Sequence, residues 1–161
     1  MPDNDASLRD QLVQLLRGGS AHVDVFAALK DFPPKLYGAR PEKIPHSAWQ
    51  LLEHLRLALH DLWEFSTNPE YVEMKWPDDY WPKSPEPPSK AAWNSSVKAL
   101  REDLAAFEKL VKNPKSNLYA EIPWGKEKQT LLREVLLAAD HNSYHVGQLV
   151  LLRRLLGSWE G

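Results

Sequence analysis

Two of the six histidines, His141 and His145, stand four residues apart in a segment whose other side chains are mostly apolar. Side chains at i and i+4 are neighbours on a helix surface. Two imidazoles so placed can share one divalent ion, since zinc–nitrogen bonds of about 2.0–2.1 Å need ring nitrogens only a few ångströms apart. Burying two polar rings without partners is costly. A metal ion answers that cost, and so could Glu134, Asp140 or water. Such an ion needs a third protein ligand, and His54 is the best placed, on the flank of an apolar helix face near Ala58 and Phe65. Asp61 shares that side and is the runner-up; its other reading is a solvated helix carboxylate. His60 points among polar positions and His22 reads as a surface residue on a short helix, while His46 suits a cap or a pocket wall.

Other chemistry is limited by what is missing. The chain has no His-Glu-x-x-His and no Glu-x-x-His pairs, so it matches neither the zincin pattern nor the carboxylate di-iron bundles. Ser96 and Ser143 lack the glycine-flanked elbow of a serine nucleophile. With no cysteine there is no disulfide, thiolate zinc site or cysteine nucleophile.

At about 100° per residue, Glu134, His141, His145, Gln148 and Leu152 fall in one stripe about 60° wide. Glu134 is therefore a candidate proton-transfer group, set against a capping or salt-bridging role near the helix start. Gln148 is a candidate for orienting a ligand, set against a buried amide bonded to backbone or water. Asp140 faces away and is expected to pair with a neighbouring helix.

These side chains must be carried by helices. Leu8, Leu12, Leu15 and Leu16 form a first stripe that Gly18-Gly19 ends, and Ser20 is a possible cap for a short second helix before Pro33-Pro34. A long helix is expected from about His46 to Ser66, with Ala48, Leu51, Leu52, Leu55, Leu59, Leu62 and Trp63 on one face. Another follows Ser89, its stripe running Trp93, Val97, Leu100, Leu104, Phe107 and Val111 until Asn113-Pro114. The last runs from about Thr130 to Leu156, apolar over most of its circumference, and is expected to be the most buried element. Almost nothing reads as strand, so the fold class is all-α, an antiparallel four-helix bundle forming a single domain over 1–161. Residues 67–88 hold six prolines with Tyr71, Trp76, Tyr80 and Trp81. They are either a loop pinned over a bundle end or a lid or pocket wall.

At 161 residues, 43% hydrophobic and 26% charged, the chain can bury a real core. The net charge of −2 comes from mixed acids and bases, which disfavours a nucleic-acid partner. No window is apolar enough to span a membrane. An acidic Met-Pro-Asp-Asn-Asp start is unlike a signal peptide, so a cytoplasmic protein is expected. Apolar positions around the last helix make a homodimer plausible.

Four stretches together resemble the DinB-like superfamily of metal-dependent enzymes, which includes thiol-dependent transferases and isomerases. They are Pro45-His46-Ser47-Ala48-Trp49-Gln50-Leu51-Leu52-Glu53-His54-Leu55; Ala139-Asp140-His141-Asn142-Ser143-Tyr144-His145-Val146-Gly147-Gln148; Lys75-Trp76-Pro77 through Tyr80-Trp81-Pro82; and Leu152-Arg153-Arg154-Leu155-Leu156-Gly157. The resemblance implies an up-down-down-up bundle, often dimeric, with the Pro/Trp-rich loop between helices 2 and 3. It implies a divalent metal such as zinc, nickel or iron on His54, His141 and His145. Such a site leaves positions open for water or substrate. It would activate water, polarise a carbonyl, or hold an exogenous low-molecular-weight thiol as its thiolate. Three readings remain at this stage: a hydrolase or thiol-dependent transferase acting on a small molecule, a metal-holding binding or stress-response protein without turnover, or a purely structural bundle whose histidines are satisfied core residues.

Overall fold

Short polar side chains start the helices. The computed structural model describes residues 4–159, so residues 1–3 of the acidic N-terminal stretch lie outside the described residues. The elements are α1 (Asn4–Arg17), α2 (Val25–Leu29), a 3-10 turn (Pro34–Leu36), α3 (Ala48–Thr67), α4 (Lys90–Lys112) and α5 (Leu131–Leu155). Ser47 caps α3 in a reciprocal box with Gln50, Ser89 caps α4 and Thr130 caps α5. Each accepts a backbone N–H that the first helical turn leaves unpaired. The cap of α2 is Asp24 rather than Ser20: its Oδ1 accepts from Phe26 N and Ala27 N, both at 2.8 Å. Gly18 and Gly19 end α1 with φ of +70° and +85°, a backbone that costs other residues more.

Side-chain contacts give the direction of each helix. Arg17 pairs with Glu108 at 2.6 Å, while Arg9, two turns earlier, donates to the carbonyls of Val111 and Asn113. α1 and α4 therefore run antiparallel. His60 meets Asp103 at 3.2 Å and Glu53 bonds Ser96, seven residues earlier on both helices, so α3 and α4 run parallel. His54 meets His141, and Asp61 lies near Glu134, so α3 and α5 run antiparallel. The order is up-down-down-up, with α3 against α4 and α5, and α1 against the same two. Residues from all five helices form one core cluster, with Leu52, Leu55, Phe107, Val111, Val135 and Leu149 shut off from solvent. The only departure from helix and loop among the described residues is an isolated antiparallel bridge, Glu121 to Thr130, leading into α5.

Two buried arginines replace apolar side chains at the packing joints. Arg9, 7% exposed, donates to the carbonyls of Val111, Asn113 and Ser116 and tethers the end of α4. Arg153, equally buried, donates to Ala28, Lys30 and Ser158 and ties α2 to α5. On α1 the inward face is thus Arg9, Leu12, Val13 and Leu16, and Leu15 is half exposed, because it lies a quarter-turn off that face. α5 also departs from expectation. Its inner face is buried, but Leu136, Leu137, Tyr144, Leu151 and Leu155 are exposed, because no helix of the bundle covers its outer side. Asp140 is on that side, exposed, and makes no ion pair among the described residues.

Parallel α3 and α4 impose a long return. α3 spans 20 residues, about 30 Å, so the chain must travel back the length of the bundle before α4 can start. Segment 68–89 makes that journey along the flank of α3. Tyr71 and Tyr80 bond Asp61, the carbonyl of Tyr80 reaches His54, that of Pro82 meets Gln50 and that of Pro85 meets Ser47. Later loop residues meet earlier helix residues, so the segment is a side wall rather than a cover over a bundle end.

Replacing Arg9 with alanine strands three backbone carbonyls at the end of α4. The expected loss is about 2–3 kcal/mol, read as a lower denaturant midpoint at unchanged m-value, with the helical circular-dichroism signal retained.

Candidate metal centre

The sites for three imidazoles are set by local rules on two helices. His141 and His145 occupy successive turns of α5, and His54 sits in the first half of α3. Because the two helices are antiparallel neighbours, the three rings meet. Their centroids lie 4.9 Å (54 to 141), 4.6 Å (54 to 145) and 4.5 Å (141 to 145) apart. One nitrogen from each ring falls within 4.8 Å of the other two. His54 is 2% exposed, His145 6%, and His141 half-buried.

The hydrogen bonds around the rings decide which nitrogens face inward. His54 Nδ1 lies 3.0 Å from the carbonyl oxygen of Tyr80, which only accepts, so Nδ1 carries the proton and Nε2 presents its lone pair. His145 Nδ1 donates likewise to Gln148 Oε1 at 2.8 Å, freeing its Nε2. His141 Nε2 faces His54 Nε2 at 3.0 Å. Two nitrogens on one tetrahedral zinc would be about 3.3 Å apart from the bond lengths alone. The cluster therefore fits a divalent ion in spacing and in the orientation of its donors.

Protonation favours the same reading. Burial pushes His54 down from 6.5 to about 4, with the carbonyl of Tyr80 partly opposing and His145 and His46 adding repulsion. Burial also pushes His141 down, to about 3, reinforced by the other two rings. His145 is lowered for the same first reason, against the bond to Gln148. The three rings are neutral at neutral pH, the form that ligates metal.

Aromatic side chains enclose the cluster. Trp81 lies flat on His54, at 3.8 Å and 7°, and its other face carries His46 at 4.0 Å and 16°. Trp76, 70% exposed, and Tyr144, 65% exposed, approach His54 and His145 from the solvent side. His46 is thus a wall residue one step from the centre, and the cap beside it is Ser47.

Other nominated residues are elsewhere. Asp61 is not part of the cluster: it is half-buried, and its two oxygens accept from Tyr71 at 2.8 Å and Tyr80 at 2.6 Å. His60 is exposed beside Asp103, and His22 is on the surface just before α2, touching Ser143 at 3.2 Å. Ser143 Oγ donates to Ala139 O, and Ser96 bonds Glu53, so neither hydroxyl addresses the cluster. Glu134 is 1% exposed and bonds Arg133 at 2.9 Å. Burial raises its pKa, against the pull of Arg133. It lines a 450 Å³ cavity with Asp61, Tyr80 and Arg133, seven residues and about 10 Å along the axis from His141. The carbonyl of Tyr80 and the ring of Trp81 escaped sequence reasoning. The aromatic richness of the segment and its share in the family resemblance were the signals for them, and neither says which residue meets which histidine.

The low imidazole pKa values have a consequence for the metal-free protein. Between about 4 and 6.5 the unfolded chain holds protons on these histidines that the folded chain refuses, so stability must fall as pH drops through that window. Metal-stripped protein should lose thermal stability on acidification from pH 7 to 4.5. A His54→Gln/His141→Gln variant, melted in the same buffers, should lose less.

Residues 7–149 match the DinB superfamily. No curated protein and no solved structure gives a match.

Proposed function

The chain belongs to the DinB superfamily, and from that premise we propose that it is a metal-dependent enzyme, a hydrolase or a low-molecular-weight-thiol-dependent transferase acting on a small molecule. The observation that carries this reading is the convergence of three neutral imidazoles with two of their outer N–H groups already engaged. His54, His141 and His145 would hold zinc, nickel or iron, and the bound ion would supply Lewis acidity to a substrate oxygen or an incoming thiol. The protein's part is preorganisation: the carbonyl of Tyr80 and the amide of Gln148 keep two lone pairs aimed inward. Trp81 keeps water from the face of His54. Since the chain has no cysteine, any reacting thiol must come from outside it.

Glu134 is proposed as a proton-transfer group at the far end of the neighbouring cavity. Support comes from its burial and its raised pKa. The competing reading, a non-catalytic metal-binding or stress-response protein, uses the same three histidines without turnover.

A second copy of the chain is the proposed partner. Leu137, Tyr144 and Leu151 recur every seven residues on the uncovered side of α5, flanked by Leu136 and Leu155. This is the spacing of a helix–helix seam. One domain and a cytoplasmic setting complete the proposal. No helix among the described residues is long and apolar enough to cross a membrane.

Protein prepared without a histidine tag should carry close to one divalent ion per chain by elemental analysis, and His145→Ala should lose it. Absence of bound metal, with no thermal shift on adding zinc or nickel, would sink the enzyme and binding readings together. Metal-dependent conjugation of a low-molecular-weight thiol to a model electrophile, lost in His145→Ala, separates a transferase from a passive binder; hydrolysis of a model ester without thiol marks the hydrolase. For the partner, sedimentation should report a dimer that Leu137→Glu/Leu151→Glu converts to monomer with metal content unchanged.

A further inference from the structure

We propose that Asp61 is a positioning residue for the three-imidazole centre: by holding Tyr71 and Tyr80 it docks segment 68–89 and so fixes the carbonyl that orients His54. The inference rests on the metal-centre reading above and extends it to a residue that touches none of the three rings.

Asp61 lies seven residues after His54, two turns along the same flank of α3. Both its oxygens are committed to phenols, Oδ1 to Tyr71 at 2.8 Å and Oδ2 to Tyr80 at 2.6 Å. Bonds from a hydroxyl to a carboxylate are among the strong ones. Burial and the adjacent carboxylate also push both phenols to higher pKa, which keeps them donors.

Tyr80 is therefore tied to α3 at two places. Its hydroxyl holds Asp61, and its carbonyl accepts from His54 Nδ1 at 3.0 Å. The next residue, Trp81, covers the face of the same imidazole. The remaining polar ties of the segment to α3 are at its two ends: Asn68 donates to the backbone oxygen and the carboxylate of Glu64, and farther up the helix Gln50 meets Pro82 O at 3.3 Å and Ser47 meets Pro85 O. Without Asp61 the stretch from Tyr71 to Tyr80 has no polar bond to α3 except the one at His54 itself. An irregular segment held so sparsely opens readily, and each opening would free His54 to rotate and change tautomer.

The coupling runs both ways. A coordinated imidazole is a stronger donor from its other nitrogen, so a metal ion at the centre strengthens the bond from His54 to Tyr80. Linkage then requires that a docked segment favour the metal by the same factor.

The test measures Zn²⁺ affinity of the metal-stripped chain by competition with a chelating indicator, alongside amide hydrogen exchange over residues 71–82. Asp61→Ala should weaken Zn²⁺ binding about 10–100-fold, the usual effect of losing an outer-sphere support. Tyr80→Phe keeps the ring and carbonyl and should weaken it in the same direction, deciding the matter if Asp61→Ala fails to fold. Asp61→Asn, whose amide can still bond both hydroxyls, should stay nearer wild type. In wild type, Zn²⁺ should slow exchange across 71–82; in Asp61→Ala it should not. Glu73→Gln removes the exposed pair with Lys126 on the same segment and should leave affinity within about twofold, as exposed ion pairs contribute little. If wild type binds Zn²⁺ but Asp61→Ala and Tyr80→Phe bind it equally well, Asp61 has only a structural role and the inference fails alone. If wild type takes no Zn²⁺, the metal-centre reading fails and this inference goes with it.

Discussion

Three uncharged imidazoles crowded edge to edge in a protein interior are tolerable only if their inward lone pairs and outward N–H groups are all accounted for. Here the outward side is partly settled: His54 donates to a main-chain carbonyl and His145 to an amide oxygen. The inward side is three nitrogens converging within 4.8 Å. That asymmetry is what fits the cluster to a divalent ion. His54 and His145 spend their protons outward, and the inward nitrogen of His54 faces His141 Nε2 at 3.0 Å.

The bundle's topology and the centre's surroundings are linked. An up-down-down-up order makes α3 and α4 parallel, and parallel neighbours cannot be joined by a short turn. The connecting chain has to run the length of α3, and His54 lies on that path. A long proline- and aromatic-rich connection is thus placed beside the imidazoles by the connectivity itself. Proline suits such a path because it limits the freedom lost when an irregular segment is ordered. The aromatics supply area that stacks on flat rings, as Trp81 does between His46 and His54.

Much of the fold was legible in residue order. The three-four spacing from Trp93 to Val111, the caps Ser89 and Thr130, and the stops at Gly18-Gly19 and Asn113 are local signals, and local backbone physics answers to them. The misreadings have a common cause. Leu15 was expected in the apolar stripe but is half exposed, and Arg9 takes an inward place because the end of α4 offers it three carbonyls. Ser20 and Asp24 are both chemically fit to cap, and the path of the chain between α1 and α2 selected Asp24. α5 is apolar nearly all round, but a bundle of four long helices covers only its inner side.

By itself the residue order determined which imidazoles could meet. Spacing on a helix is a property of backbone geometry, so His141 and His145 had to share a face, and His54 had to lie on the flank of its own helix. What surrounds them was decided only by tertiary structure. That Asp61 serves two tyrosines, that a carbonyl from the connecting segment orients His54, and that Trp81 rather than Trp76 lies flat on its ring all depend on residues 10 to 27 positions apart meeting in space. Helical periodicity carries no information about an irregular segment. Its course is set by where the helices it joins begin and end.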